Sequence, residues 1–246
     1  RTALLVFGSL LVAAIVIVTS NHQVSATPID RTRLPIAQPI TATVTQPLPA
    51  NAVMPEPWEV RAPEGAPNVV IILLDDIGFG APSPFGGPVN MPTLQHLADN
   101  GLRYNRFHTI ALCAPTRGAL KSGRNHHRVN MGSIPEIATG FAGNTTVIPD
   151  TAAPIAEVLR QNGYNTGAFG KWHETPGRET TAAGPQTRWP TRQGFEKFYG
   201  FLGAEENMYE PSLHDGVTVI DFPDKPDYHL LEDMTDQAIS WVRQQQ

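Results

Sequence analysis

The sequence predicts an α/β fold with a mostly parallel central sheet, and three observations support that prediction. A continuous aliphatic run at 69–74 is typical of a strand buried on both faces of a parallel sheet. Helical patterns follow at 92–100 and 152–162, and a second strand-like segment at 164–170 comes directly after the latter. Strands and helices that alternate along a chain predict helices layered on a sheet.

The pattern of the N-terminal residues predicts an export signal. Leu4–Val18 is a 15-residue apolar run, preceded by Arg1 and followed by polar residues. It is short for a membrane span and suits the apolar part of a signal peptide, and Val24-Ser25-Ala26 offers a small-x-small cleavage site. We predict a signal peptide at 1–26 and export to the periplasm or the medium. An uncleaved membrane anchor at residues 4–18 is the alternative, and a cytosolic core helix is a third.

A proline-rich segment separates this region from the folded domain. Nine prolines lie between Thr27 and Asn68, with little hydrophobic periodicity, which predicts a linker or extended arm at 27–67. The predicted domain is 68–246. Its last helix carries Leu231, Met234, Ala238 and Val242 on one face and reaches the final residue without a cap. This pattern predicts the N-terminal part of a longer domain.

Composition excludes some function classes. The net charge is −5, 17% of the residues are charged, and the two signs are mixed along the chain, without a basic stripe for nucleic acid. A hydrophobic content of 41% is enough for a folded core. The chain has one cysteine, which cannot form an intramolecular disulfide.

That cysteine lies in the segment CAPTRGALKSGR, residues 113–124. Pro115 suits the first helical position and Gly123 suits the end of a helix, so Cys113 is predicted at or just before a helix N-terminus. Free N–H groups and the helix dipole favour an anion there, and Arg117 can reach back to the same place. The alternative is a buried cysteine that acts as a small hydrophobic residue.

Two carboxylates, Asp75 and Asp76, follow the predicted strand at 69–74. Ligands of open α/β sheets bind at the carboxyl ends of strands. Adjacent ionised carboxylates repel each other, and a hard divalent cation would neutralise them. The alternative is a solvated turn. Dinucleotide binding fits poorly because no Gly-x-Gly-x-x-Gly follows the strand.

Three motifs in order resemble those of the type I, formylglycine-dependent sulfatases, which include the arylsulfatases. The first is the aspartate pair in LLDDIGFG, residues 73–80. The second is CAPTRGALKSGR, which resembles C-x-P-[S/T]-R followed by L-x-[S/T]-G-R, and the third is GKWH at 170–173. The resemblance covers 68–246. It implies an alkaline-phosphatase-like three-layer α/β fold, whose sheet is expected to be incomplete within these residues.

The resemblance also implies a mechanism. A formylglycine-generating enzyme would convert Cys113 to formylglycine, whose hydrate presents two hydroxyls on one carbon. One hydroxyl attacks the sulfur of a sulfate ester, and the other then expels sulfate. Asp75 and Asp76 match metal ligands, usually for Ca²⁺, with Mg²⁺ possible. Arg117 matches the arginine that holds the formylglycine.

Lys171 and His173 match the sulfate-binding pair of this family, and alternation along a strand would direct both to one face. Glu174-Thr175-Pro176 follows, where many members have Leu-Gly, so we expect a changed loop. The remaining metal and sulfate ligands are expected beyond residue 246, so the fragment alone is predicted to be inactive. The alternatives are a phosphonate monoester or phosphodiester hydrolase of the same superfamily, and a non-catalytic sulfate-ester binding protein.

Overall fold

A computed structural model describes residues 29–39 and 58–245. The predicted signal segment lies outside the described residues, as do residues 40–57 of the predicted linker. The chain divides into two compact units, Arg1–Arg33 and Leu34–Gln246, and every element below belongs to the second. Within the described ranges, no helix is both long and apolar enough to cross a membrane.

In the described part of the second unit, three helices precede four consecutive strands, and a fourth helix follows them. The helices are α1 (Pro92–Asp99), α2 (Cys113–Ser122), α3 (Ile155–Gln161) and α4 (Leu230–Gln244). The strands are β1 (Gly167–Lys171), β2 (Lys197–Phe201), β3 (Leu213–Asp215) and β4 (Thr218–Ile220). The helices predicted at 92–100 and 152–162 and the strand predicted at 164–170 are present, with ends shifted by a few residues.

The four strands form one mixed sheet in the order β1-β2-β3-β4. β1 pairs with β2 in parallel, whereas β2–β3 and β3–β4 are antiparallel. The β3–β4 hairpin turns at Gly216, whose φ of 61° is readily adopted by glycine. The sheet with its helices gives the α/β class that the sequence predicts, and the described strands pair in mixed rather than mostly parallel fashion.

The predicted buried strand at 69–74 is not found. These six residues form no strand, and their side chains are 39–78% exposed. An aliphatic run shows that a segment can be buried, but a strand also requires a neighbouring strand to accept its backbone hydrogen bonds. The described sheet pairs β1 to β4 with one another and supplies no neighbour to this segment.

Within residues 29–39 and 58–245, the buried hydrophobic side chains form three clusters. The first lies between the sheet and α4, the second lies under α2, and the third surrounds the end of β1. Their members are Tyr199, Phe201, Leu213, Tyr228, Leu230 and Met234; then Ala114, Val129, Met131 and Ala152; then Trp172, Trp189, Phe198 and Leu202. The aromatic residues of β2 are therefore core residues.

Helix α4 buries a different face from the predicted one. Met234 is buried as expected, but Leu231 and Val242 are exposed. Asp233 is buried instead, because its Oδ2 accepts hydrogen bonds from the hydroxyls of Tyr199 (2.6 Å) and Tyr228 (3.0 Å). Burial and the neighbouring Asp233 carboxylate raise the pKa of both tyrosines, so they remain donors.

Gly200 allows β1 and β2 to approach each other closely. It is the register partner of Gly170 and has a φ of 155°. A Cβ at this position would overlap the carbonyl group of Gly170.

We expect Gly200→Ala to lower the free energy of unfolding by about 2–3 kcal/mol, because the backbone of β1 would have to move. Urea denaturation measures this loss. The matched control is Gly177→Ala, where an added Cβ meets nothing within 4 Å. Equal free energies of unfolding for the two variants would contradict the close approach of β1 and β2 at Gly200.

Candidate active site

Helix α2 places Cys113 at its first position, with Leu112 as the extended N-cap residue. The Thr116 hydroxyl reinforces this end by donating to the carbonyls of Ile110 and Leu112, each at 2.9 Å. Gly123 ends the helix with a φ of 64°, as predicted. Pro115 occupies the third helical position rather than the predicted first. It is tolerated because the N–H groups of the first turn have no partner within the helix.

His173 lies directly against Cys113. Its backbone N–H donates to the Leu202 carbonyl at 3.2 Å, which extends the β1–β2 pairing past the end of β1. The side chain is 2% exposed, and its Nδ1 is 3.1 Å from Cys113 Sγ. The fold thus brings α2, the signature helix that carries the CAPTR motif, and the GKWH segment together at one point.

Asp75, Arg117 and Lys171 form a second set of contacts beside this point. Lys171 Nζ lies 2.6 Å from Asp75 Oδ2, and Arg117 Nη2 lies 3.3 Å from Asp75 Oδ1. Arg117 Nη1 also donates to the Lys171 carbonyl at 2.7 Å. Burial would raise the pKa of Asp75, but the hydrogen bond and charge of Lys171, together with Arg117, hold that pKa below its ordinary value. The carboxylate therefore stays ionised between two cations.

Asp76 stands apart from these contacts. It lies in a turn with Asp75 and has a φ of 55°, a conformation that aspartate tolerates better than most residues. Among the described residues, no three acidic, histidine or cysteine side chains are grouped as a metal would require. Both Asp75 oxygens face cationic side chains. The described residues alone thus do not form a complete metal site.

Glu136 is a site residue that the sequence did not indicate. It lies in a short 3₁₀ helix, Pro135–Ile137, and its carboxylate oxygens are 2.9 and 3.1 Å from His173 Nε2. No local pattern marks a glutamate as the partner of a histidine 37 positions away.

Lys121 and Glu174 form a buried ion pair that joins α2 to the loop after β1. The Lys121 side chain is 16% exposed and that of Glu174 is 1% exposed. Lys121 Nζ also lies 3.0 Å from the ring centroid of Trp172. Burial lowers the pKa of Lys121 to about 8 and raises that of Glu174. The sequence indicated that Glu174 after GKWH is unusual, but it did not indicate Lys121 as the partner of Glu174.

His126 and His127 differ in their exposure to solvent. Their rings stack on each other with centroids 4.1 Å apart. His126 is half-buried, with Nδ1 2.9 Å from the Met131 carbonyl oxygen, and His127 is exposed.

Comparison with known proteins identifies the family of this chain. The family model described as Sulfatase matches residues 67–246. The chain belongs to the sulfatase family. The family match covers the signature helix and the residues from GKWH onward.

Curated relatives of this sulfatase chain include several arylsulfatases. The arylsulfatase of Klebsiella aerogenes is 29% identical over 198 residues, which is 74% of this chain and 40% of that protein. Human arylsulfatase A is 37% identical over 137 residues, or 54% of this chain and 25% of that protein. An uncharacterised sulfatase of Schizosaccharomyces pombe is 32% identical over 170 residues, or 65% and 29%. The chain spans 25–40% of the length of these relatives.

Solved structures show the same fold. Ps i-CgsB superposes with a TM-score of 0.53 at 21% identity, over 69% of this chain and 40% of that chain. The yidJ structure from Bacteroides fragilis gives a TM-score of 0.51 at 22% identity, over 66% and 37%. The sulfatase chain therefore has part of the alkaline-phosphatase-like α/β fold.

Proposed function

We propose that this chain supplies the nucleophile side of a sulfatase site that hydrolyses sulfate monoesters, aryl sulfates among them. The observation that carries the proposal is the contact between Cys113 Sγ and His173 Nδ1 at 3.1 Å, at the N-terminus of α2. Two motifs that are distant in sequence meet there. The cations Arg117 and Lys171 lie beside it and can hold an anionic sulfate group.

Residue 113 is proposed to act as formylglycine rather than as a thiol, so Sγ marks the place that a hydrate oxygen would take. The surroundings fit that group, because the helix N-terminus and His173 Nδ1 both face an oxygen in this position. When formed, the hydrate supplies a hydroxyl nucleophile and a second hydroxyl whose proton loss expels sulfate. A formylglycine-generating enzyme is therefore the proposed partner.

The side chains of this chain then have distinct roles. Arg117 fixes the end of β1 relative to Asp75 through its bonds to the Lys171 carbonyl and to Asp75, so residue 113 on the same helix keeps its place. Lys171 places its ammonium group where it can offset charge on a sulfate oxygen. His173 accepts a proton at Nδ1 from the hydrate at position 113.

Asp75 and Asp76 are the proposed ligands from this chain for a divalent cation, Ca²⁺ or Mg²⁺. Carboxylate oxygens suit these hard ions. Such an ion would supply positive charge to the sulfate oxygens and to the attacking hydroxyl. In the described arrangement, Lys171 and Arg117 place positive charge at this position, because both form ion pairs with Asp75.

A phosphonate monoester or phosphodiester hydrolase is the alternative enzyme, since sulfate and phosphate esters are similar in size and charge. The test compares kcat/KM of the complete enzyme on para-nitrophenyl sulfate and bis-para-nitrophenyl phosphate. We expect higher efficiency on the sulfate. Higher efficiency on the phosphate diester would overturn the substrate class, and binding of either ester without turnover would support a binding protein. Export through the segment at 1–26 remains part of the proposal.

A further inference from the structure

The orientation of the His173 ring is determined by Glu136. Both carboxylate oxygens of Glu136 lie within 3.1 Å of His173 Nε2. An ionised carboxylate can only accept hydrogen bonds, so Nε2 must carry the proton that it donates. The ring is almost completely buried, so water does not compete for this nitrogen.

We propose that Glu136 is a positioning residue that fixes the His173 tautomer for proton transfer at position 113. With the proton on Nε2, the neutral ring presents an unprotonated Nδ1 to residue 113 at 3.1 Å. The inference rests on the proposed function, in which His173 accepts a proton from the hydrate. Glu136 touches neither substrate nor residue 113 and acts only through the histidine.

The fold holds Glu136 in place through its turn. Ser133 Oγ lies 2.5 Å from Asn144 Oδ1 and 3.4 Å from the Ile137 carbonyl oxygen, which ties the 3₁₀ helix to the following loop. The Glu136 side chain is 48% exposed, so the carboxylate is solvated on one side and held by His173 on the other.

The step that depends on this arrangement is the release of sulfate. The remaining hydrate hydroxyl gives its proton to His173 Nδ1, and the electron pair of that O–H bond forms the C=O bond of the aldehyde. The bond between the same carbon and the sulfate oxygen breaks, and its electron pair leaves with sulfate. Release of the phenol precedes this step and does not require it.

Glu136→Ala in the complete enzyme tests the proposal with an aryl sulfate. We expect kcat to fall on the order of 10- to 100-fold, the usual loss for outer partners of functional histidines. The value of kcat/KM, which reports only on steps up to phenol release, should be unchanged, and a burst of phenol should precede the slow steady state. Glu136→Gln keeps an acceptor oxygen and should retain more of kcat than Glu136→Ala.

If Glu136 had only a general structural role, Glu136→Ala would lower kcat and kcat/KM together without a burst. That result would overturn the inference. The matched control is Asp150→Asn, an exposed carboxylate that should leave both parameters unchanged. If the wild-type enzyme turns over no sulfate ester, the proposed function fails, and NMR of the His173 ring nitrogens decides the inference separately. A proton on Nε2 supports it, and a proton on Nδ1 overturns it.

Discussion

Replacing Cys113 with alanine is expected to abolish sulfate-ester hydrolysis by the complete enzyme. Alanine cannot be converted to formylglycine, and loss of a covalent nucleophile costs on the order of 10⁶-fold in kcat in well-studied hydrolases. The measurement is the steady-state rate on para-nitrophenyl sulfate. The fold should be retained, because Cys113 contributes one small, partly buried side chain at the helix end.

The control is Thr116→Ser, which retains the hydroxyl that bonds to the carbonyls of Ile110 and Leu112. It should keep near wild-type activity. The mass of the peptide spanning 107–117 shows whether residue 113 of the wild-type enzyme carries an aldehyde. A Cys113→Ala variant within tenfold of wild-type activity would contradict the assignment of the nucleophile.

Breaking the Lys121–Glu174 pair is expected to cost more stability than any surface substitution. Lys121→Leu or Glu174→Leu alone leaves the other partner buried without its counter-ion, a situation that costs about 3–5 kcal/mol. Replacing both residues with leucine removes both charges and should be neutral, or stabilising by about 1–4 kcal/mol. The directions of the two pKa shifts support this expectation, because burial moves both groups toward their neutral forms despite their attraction.

Urea denaturation of the two single variants and the double variant forms a double-mutant cycle for this pair. Lys197→Met is the matched control, since the Lys197–Asp215 pair is partly exposed, and its loss should cost under about 1 kcal/mol. A double leucine variant as unstable as the single variants would show that the charges themselves are required for the fold.

Local signals account for the elements that the sequence predicted. Gly123 fixes the end of α2, and the residues before Gly163 mark α3, because caps and periodicity depend only on near neighbours. The prediction of a strand at 69–74 was wrong, because strand formation depends on a partner elsewhere in the chain. Glu136 and the Lys121–Glu174 pair were missed for a related reason. Contacts between distant segments leave no pattern within either segment.

The motifs linked residues that the spacing rules could not connect. Cys113 and His173 are 60 positions apart, and no periodicity predicts their contact, yet the resemblance to sulfatases placed both at one site. The resemblance did not identify Glu136, because it carries over only the residues in the matched motifs. The alternation argument along 171–173 was also incomplete. His173 has a φ of 55° and leaves the extended conformation, so its side-chain direction follows from this turn and not from strand alternation.

The burial of the signature helix determines whether a modifying enzyme can reach the CAPTR motif after the domain has folded. Pro115 is fully buried, and the Arg117 side chain is 11% exposed, with its guanidinium bound to Asp75 and to the Lys171 carbonyl. A modifying enzyme that recognises C-x-P-x-R as a linear peptide has no access to these two side chains once the domain has formed. The proposed conversion of Cys113 to formylglycine would therefore have to precede folding, and a chain that folds first would keep its thiol.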